Sequence, residues 1–429
     1  MSIQNDINEL IQAEIITQDS ADKILNYYLN KGLNQSKGRL LIVFSILGAI
    51  LVGLGIILIL AHNWDELSTS TKTIFAFLPM IVGQAICGYV ILKLKESDSW
   101  REGGTAFLFF AVGSSISLIS QIYNIPSNHG NFFLIWMILC LPLIYLMNSS
   151  IASILYIIGI TFYACQTNYW SYPSQESYLY WILFLLVLPH YYILYKNNIE
   201  SNFLFFHNWI IPLSLIITLG TIADKHSEIM YIAYFSLLGL FYLIGNSEIF
   251  IKQRPFVNSY RILGERGTIV LLLVLSFDFF WESLRKIHID TLELISSAEF
   301  ITAFLLTFIA AGLLIFQQRN KLLKEIQPIS IIFILFLFTF LIGLFTPYAV
   351  ILINIFVFII GLYTIWNGSN LDNLGILNYG LLIITALVVC RFFDTDLSFV
   401  MRGILFILVG LGFFIANYVT IKRRGTNEK

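Results

Sequence analysis

Fourteen apolar runs, each about long enough to cross a lipid bilayer as a helix, occupy most of this chain. Hydrophobic residues make up 58% of its positions and charged residues only 12%, about half the charged fraction of a soluble domain. Because hydrocarbon offers the backbone no hydrogen-bond partner, each run must form a helix. We therefore expect an all-α polytopic membrane protein embedded in the lipid bilayer, with spans near 40–61, 73–93, 104–122, 131–147, 151–166, 178–195, 203–222, 228–246, 267–287, 299–317, 329–345, 347–366, 375–391 and 397–419.

The positive charges of the chain favour one orientation in the membrane. With the N-terminus in the cytoplasm, the cytoplasmic segments hold 19 of the 25 Lys and Arg residues, the outer segments hold 5, and Arg402 lies inside the last run. Such an excess of Lys and Arg is typical of cytoplasmic loops. An even number of spans also places the basic tail, residues 422–429, in the cytoplasm. We expect a multi-pass protein of the cell membrane with both termini inside.

A polar segment, residues 1–38, precedes the first run. It contains two short helical patterns, the second over about 20–31 behind the N-cap candidates Thr17, Asp19 and Ser20. This arrangement predicts a cytoplasmic helical hairpin that docks a partner. The hairpin has no basic recognition helix, and the formal net charge of the chain is -1, so we expect no nucleic-acid partner.

The ninth run contains the strongest candidate site for binding a ligand or ion. Asp278, Glu282 and Arg285 lie at positions i, i+4 and i+7, so a continuous helix places them on one face. An ionisable group within hydrocarbon must be paired or hydrated. The topology places Arg391 and Arg402 at a similar depth. Two interpretations stay open, namely a static ion-pair clasp between helices and an outward-facing polar cavity that binds an ion or a polar headgroup.

The first outer loop contains weaker candidates for chemistry. Asp65 and Glu66 could act as catalytic acids, or could simply cap the next helix. His62, together with the loop residue His129, is a candidate metal ligand, but no two histidines have the local spacing of a metal site. The four cysteines lie inside apolar runs and are widely spaced, so they predict no metal site either. The sequence has no phosphate loop, nucleotide fingerprint or hydrolase motif, and we expect no bound cofactor.

Several segments resemble the bacterial family known as domain of unknown function 2157. They are ITQDSADKILNYY at 16–28, AHNWDEL at 61–67, ISQIYNIPSN at 119–128 and the apolar run FLIWMILCLPLIYLM at 133–147. The resemblance covers roughly residues 8–150. It implies an integral membrane protein of the bacterial inner membrane, and it implies no reaction, substrate or catalytic residue.

The resemblance and the apolar runs together divide the chain. After the hairpin come a family-like membrane region over 39–150 and further spans over 151–421. Three functions stay open. The leading one is transport or binding of a small polar or ionic solute through the outer-half polar cluster. The others are a structural or sensory role that uses the hairpin, and an enzyme acting on a lipid-linked glycan or headgroup. The absence of catalytic motifs leans against the enzyme.

Overall fold

The computed structural model describes a large part of the chain. The described residues are 7, 15–24, 64–126, 128–172, 174, 177–197, 199, 201–247, 250, 258–286, 291–319, 327–392, 398–401, 403–404, 406–408, 410–412 and 414, without the side chains of Asp65, Thr291 and Leu292. Within these ranges all regular secondary structure is helical, and no strand occurs. This result confirms the all-α fold class that the apolar runs predict.

Thirteen helices within the described ranges form the candidate spans and the sites. They are α1 (Thr69–Lys93), α2 (Asp98–Ile122), α3 (His129–Leu146), α4 (Ser150–Thr167), α5 (Tyr178–Asn197), α6 (Asn202–Leu219), α7 (Met230–Gly245), α8 (Ser259–Val274), α9 (Asp278–Lys286), α10 (Ala298–Gln318), α11 (Ile332–Phe345), α12 (Tyr348–Asn370) and α13 (Leu374–Phe392). Eleven helices in the described part are long and apolar enough to cross a membrane, and a twelfth span is formed if α8 and α9 are taken together. The protein is therefore polytopic and contacts the bilayer.

The expected fourteen spans are only partly visible in the described ranges. The first, 40–61, lies outside the described residues. The last, 397–419, is represented by a shorter apolar helix, Phe399–Gly412. The ninth, 267–287, is not one straight helix, because α8 and α9 meet at an angle of 72°. The count of fourteen and the orientation of the termini stay predictions.

The helices of residues 78–429 have two ends. We call the end that contains Gly245, Ser259, Asn370 and Leu374 the basic face, because the sequence places most Lys and Arg on that side. The opposite face is the end at which α5 and α10 begin and α6 ends. Hydrogen bonds connect residues at the same end. At the basic face, for example, Gln317 Nε2 donates to the Leu243 carbonyl at 2.9 Å.

The span that contains α7, Ser227–Gly245, is the most buried of the described spans, with 72% of its apolar stretch inside the protein. It packs against α8, α10 and α11. Phe235 of α7 and Phe336 of α11 stack with ring centroids 3.9 Å apart. Close approach to α8 depends on Gly264, because a Cβ atom there would lie 2.5 Å from the Tyr242 backbone nitrogen. A small residue at such a point is the usual device for bringing membrane helices into backbone contact.

A carboxylate from α2 caps the N-terminus of α4. Glu102 is 5% exposed and accepts hydrogen bonds from the backbone nitrogens of Ser150 (3.0 Å) and Ile151 (2.9 Å), as well as from the Ser149 hydroxyl. The first N–H groups of a helix have no partner within it and form the positive end of its dipole. Glu102 therefore satisfies the start of α4 and joins α2 to α4.

We expect Glu102→Ala to lower the free energy of unfolding by about 1–3 kcal/mol, because it leaves buried N–H groups without an acceptor. Thermal unfolding of the purified protein in detergent measures this loss. Glu96→Ala is the matched control, since Glu96 is exposed just before α2. Equal destabilisation by both variants would contradict the capping role.

Residues 1–77 form a compact unit of their own, and residues 78–429 form a second unit. In the first unit, residues 18–24 are helical, and Lys23 Nζ lies 2.6 Å from Asp19 Oδ2. Most of the predicted hairpin lies outside the described residues. Its docking role and the division of the chain at residues 38 and 150 stay predictions.

Candidate functional site

A polar cavity of 450 Å³ opens among the basic-face ends of α7, α8, α12 and α13 and the short 3₁₀ helix Pro328–Ile331. The surrounding helix ends come from residues more than a hundred positions apart, so the cavity depends on the tertiary fold. Three charged side chains line it: Arg261, Glu265 and Arg266. The neutral polar side chains in its wall are Tyr242, Asn258, Gln327, Tyr363, Thr364, Asn367, Asn373 and Tyr379.

The first turns of α8 place the three charged side chains in the cavity. Arg261 and Glu265 lie four residues apart, so they share a face of the helix, and Arg266 follows directly. The Arg266 guanidinium lies 5.9 Å from the centroid of the Tyr379 ring, a cation–π distance that ties α8 to α13. Within the described ranges, no Lys, Arg, Asp or Glu lies within ion-pair distance of Arg261, Glu265 or Arg266.

Polar side chains fix the helix ends that form the wall. Asn258 accepts a hydrogen bond from the Arg261 backbone nitrogen (3.1 Å), which caps α8, and donates to the Gly245 carbonyl (2.7 Å) at the end of α7. Asn373 caps α13 by accepting from the Gly375 nitrogen at 3.0 Å. The Tyr242 hydroxyl donates to Gln327 Oε1. The wall is thus held by its own bonds, and the three charged side chains line the cavity.

The chemistry that this cavity can perform is binding of a small polar solute. Two guanidinium groups oppose one carboxylate, so its lining carries a net positive charge. Guanidinium groups bind carboxylates and phosphates through paired hydrogen bonds. Among the described residues, no group of three or more His, Cys, Asp or Glu side chains is placed to hold a metal ion.

The residues predicted from the ninth run lie on the opposite face and form local pairs. Asp278 begins α9, and both of its carboxylate oxygens accept from Arg285 Nη2 at 3.1 Å. Glu282 accepts from Lys286 at 2.7 Å. The Asp278 and Glu282 side chains are 41% and 59% exposed. Within the described part of the chain, both pairs lie inside one short helix, Glu282 and Lys286 one turn apart and Asp278 and Arg285 two turns apart.

The bend before α9 explains why these charges do not lie inside a straight span. The chain leaves helical geometry after Val274, and three side chains satisfy the backbone and the Ser276 hydroxyl there. Trp281 Nε1 donates to the Leu275 carbonyl (2.8 Å), Asn354 donates to the Ser276 carbonyl (3.3 Å), and Arg391 Nη2 donates to the Ser276 hydroxyl (3.1 Å). Non-helical backbone at a membrane depth is tolerated where protein groups satisfy it in this way.

The structure brings Arg391 to this bend, where its guanidinium also lies 4.8 Å from the centroid of the Phe277 ring. Arg391 therefore fastens α13 to the junction of α8 and α9. Arg402 lies outside the described residues, so its predicted place in the same cluster is untested. The choice between an ion-pair clasp and a binding site in this cluster stays open.

The candidates of the loop before α1 lie only partly within the described residues. Trp64–Glu66 form a 3₁₀ turn, and Glu66 is exposed. The Lys72 ammonium lies 5.7 Å from the centroid of the Trp64 ring. His62 and the Asp65 side chain lie outside the described part, and His129 is exposed at the start of α3. Their proposed catalytic and metal-binding roles stay predictions.

Eleven described spans define a multi-spanning helical membrane protein. Its residues 8–153 match the family described as Predicted membrane protein (DUF2157), which confirms the resemblance of the N-terminal third. Comparisons with curated proteins and with solved structures find no significant match. The polar cavity lies beyond the matched residues, so its function must be argued from its own chemistry.

Proposed function

We propose that this protein binds a small anionic solute in the polar cavity of the basic face. The observation that carries this proposal is the lining itself. Arg261 and Arg266 face a 450 Å³ space without an ion-pair partner among the described residues, and they outnumber the single carboxylate Glu265. A solute that carries a carboxylate or a phosphate supplies a counter-charge for the one positive charge that Glu265 does not balance.

The first turns of α8 carry charge at the edge of the membrane. Charged side chains near hydrocarbon are costly and are found where they pair or line a hydrated space. The first turns of α8 keep two guanidinium groups at the end of a membrane helix, with Tyr379 against one of them. Pockets that bind small molecules combine a largely apolar wall with a few placed polar groups. Ile262, Ile329 and Ile360 supply the apolar part of this wall.

The number of spans and the orientation of the chain in the membrane are part of the same proposal. Fourteen spans with both termini in the cytoplasm place the basic face, and therefore the cavity, on the cytoplasmic side of a bacterial inner membrane. The solute is then one of the cell interior. Binding at a cytoplasmic cavity is the first step of export, and equally of a sensor that reports the solute concentration.

Calorimetric titration of the protein in lipid nanodiscs tests the proposal, with inorganic phosphate and succinate as anion probes. We expect at least one probe to bind, and Arg261→Gln or Arg266→Gln to weaken it about fivefold, because one arginine remains in each variant. Arg319→Gln is the matched control, since Arg319 is exposed at the same face outside the cavity. No binding of either anion, or equal affinity in all variants, would overturn the proposal.

A further inference from the structure

Two further cavities meet at the opposite face of the bundle. An apolar groove of 660 Å³ lies between α5, α6, α7 and α10, and a polar pocket of 460 Å³ lies at the ends of the same helices. Tyr178, Ala298 and Ile301 line both of them. The two spaces are therefore adjacent, one apolar and the other polar. This arrangement has the shape of a site for an amphiphile.

The apolar groove is long enough for one acyl chain. On α5 and α10 its lining lies mainly in the half of each helix next to the opposite face, whereas on α7 and α8 it extends to Ile244 and Tyr260 at the basic-face end. Along α6 and the 3₁₀ turn that follows it, Gly220–Ile222, the lining extends from Ile211 to Ile222, which is about 16 Å at the rise of a helix. Half of the hydrocarbon core of a bilayer is about 15 Å thick. Most side chains that line it, such as Trp181, Leu215 and Leu305, offer a chain apolar contacts, and Tyr178, Tyr260 and Thr302 add hydroxyl groups.

The polar pocket is a preformed cradle of charged groups. Glu299, 2% exposed, accepts hydrogen bonds from the backbone nitrogens of Asp224 (2.8 Å) and His226 (3.0 Å), which fixes the loop before α7. Lys225 Nζ lies 2.7 Å from Glu293 Oε1. The hydrogen bond from Lys225 to Glu293 raises the pKa of the ammonium above its ordinary value, so Lys225 stays charged. Within the described ranges, the buried Nε2 of His226 has no hydrogen-bond partner.

The charges of this pocket select the headgroup. Asp224, Glu293 and Glu299 supply three carboxylates against the one ammonium of Lys225. A net negative pocket repels an anionic headgroup and attracts an ammonium. A primary ammonium donates three hydrogen bonds, which the carboxylates can accept, whereas a quaternary ammonium donates none. Lys225 and the ring nitrogen of His226 offer donors for a phosphate.

We propose that the apolar groove and the polar pocket together bind one phospholipid with a primary-amine headgroup. One acyl chain lies in the groove, the ammonium lies against Asp224 and Glu293, and the phosphate lies near Lys225 and His226. The site is at the opposite face, and it does not depend on the proposed anion binding at the basic face.

Native mass spectrometry of the delipidated protein tests this site. The probes are phosphatidylethanolamine, phosphatidylcholine and phosphatidylglycerol with identical acyl chains, and soluble phosphoethanolamine. We expect the ethanolamine lipid to bind about fivefold more tightly than the other two lipids, and phosphoethanolamine to bind far more weakly because it has no chain. Equal affinity for the three lipids, or undiminished affinity for phosphoethanolamine, would overturn the proposal.

Variants separate the two parts of the site. Asp224→Asn with Glu293→Gln should remove the preference for ethanolamine, while chain-dependent binding remains. Thr302→Phe, which fills the groove, should weaken all three lipids, whereas Ile309→Phe on the lipid-facing side of α10 should not. An unchanged preference in the first variant, or identical behaviour of Thr302→Phe and Ile309→Phe, would contradict the assignment.

Discussion

Gly264→Ala is expected to destabilise this protein by about 3 kcal/mol, and it should also abolish anion binding at the basic face. The added Cβ would lie 2.5 Å from the Tyr242 nitrogen and 2.7 Å from the Leu238 carbonyl oxygen. Both atoms belong to the backbone of α7, so no side chain can rotate away. Helix α8 must therefore move outward, and it takes Arg261 and Glu265 with it.

The control is a glycine of the same kind in an open environment. Gly312 of α10 has no atom within 4 Å of a built Cβ, so Gly312→Ala should be neutral or slightly stabilising. Thermal unfolding in detergent measures stability, and titration with succinate in nanodiscs measures the cavity. A Gly264→Ala variant as stable as Gly312→Ala would show that the contact between α7 and α8 is not limiting.

Most of the described helices are predicted by the apolar runs, because a helix satisfies the backbone hydrogen bonds of a segment within a bilayer. The run predicted at 299–317 is α10, Ala298–Gln318, and the short run at 151–166 is α4, Ser150–Thr167. The ends of the predicted runs agree closely with those of the observed helices, because polar residues border each apolar run. Ser149 and Ser297 then cap the helices by accepting bonds from backbone nitrogens.

The straight ninth span was the clearest departure from the sequence-based expectation. Hydropathy alone joins residues 267–287, although the second half carries Asp278, Glu282, Arg285 and Lys286. A continuous helix would bury these charges in lipid, whereas the chain bends by 72°, Glu282 and Lys286 are exposed, and Asp278 pairs with the largely buried Arg285. The bend needs Trp281, Asn354 and Arg391 to satisfy it, and the last two come from α12 and α13. These contacts from distant helices cannot be predicted from the sequence around the bend.

The sequence does not predict the candidate cavity either, because the cavity also depends on packing between distant helices. Arg261 and Arg266 counted only as positive charges in a cytoplasmic loop, whereas the structure places them within the first turns of α8. The available signal was three charged residues within six positions next to an apolar run. Two such arginines at a helix end form a site only where α12 and α13 pack beside them. The spacing of residues along the chain does not predict that packing.

Glu265→Gln is expected to raise the affinity of the cavity for succinate about tenfold. Glu265 is the one carboxylate in the lining, and its charge opposes that of an anion. Removing a repulsive charge about 10 Å from a bound charge, at an effective dielectric constant of about 20, changes the binding energy by about 1–2 kcal/mol. Such a change corresponds to roughly a tenfold change in affinity. The glutamine also offers an N–H donor, which adds to the gain.

Calorimetry in nanodiscs measures the change, and Glu282→Gln is the matched control on the opposite face. Glu282 is exposed and pairs with Lys286, so its neutralisation should leave succinate binding unaltered. The two variants carry the same chemical change, and they differ only in whether the carboxylate faces the cavity. A fall in succinate affinity on Glu265→Gln would mean that this carboxylate holds a cationic group of the ligand, and it would contradict a simple anion site. An equal gain in both variants would mean that long-range charge, rather than the cavity, governs the affinity.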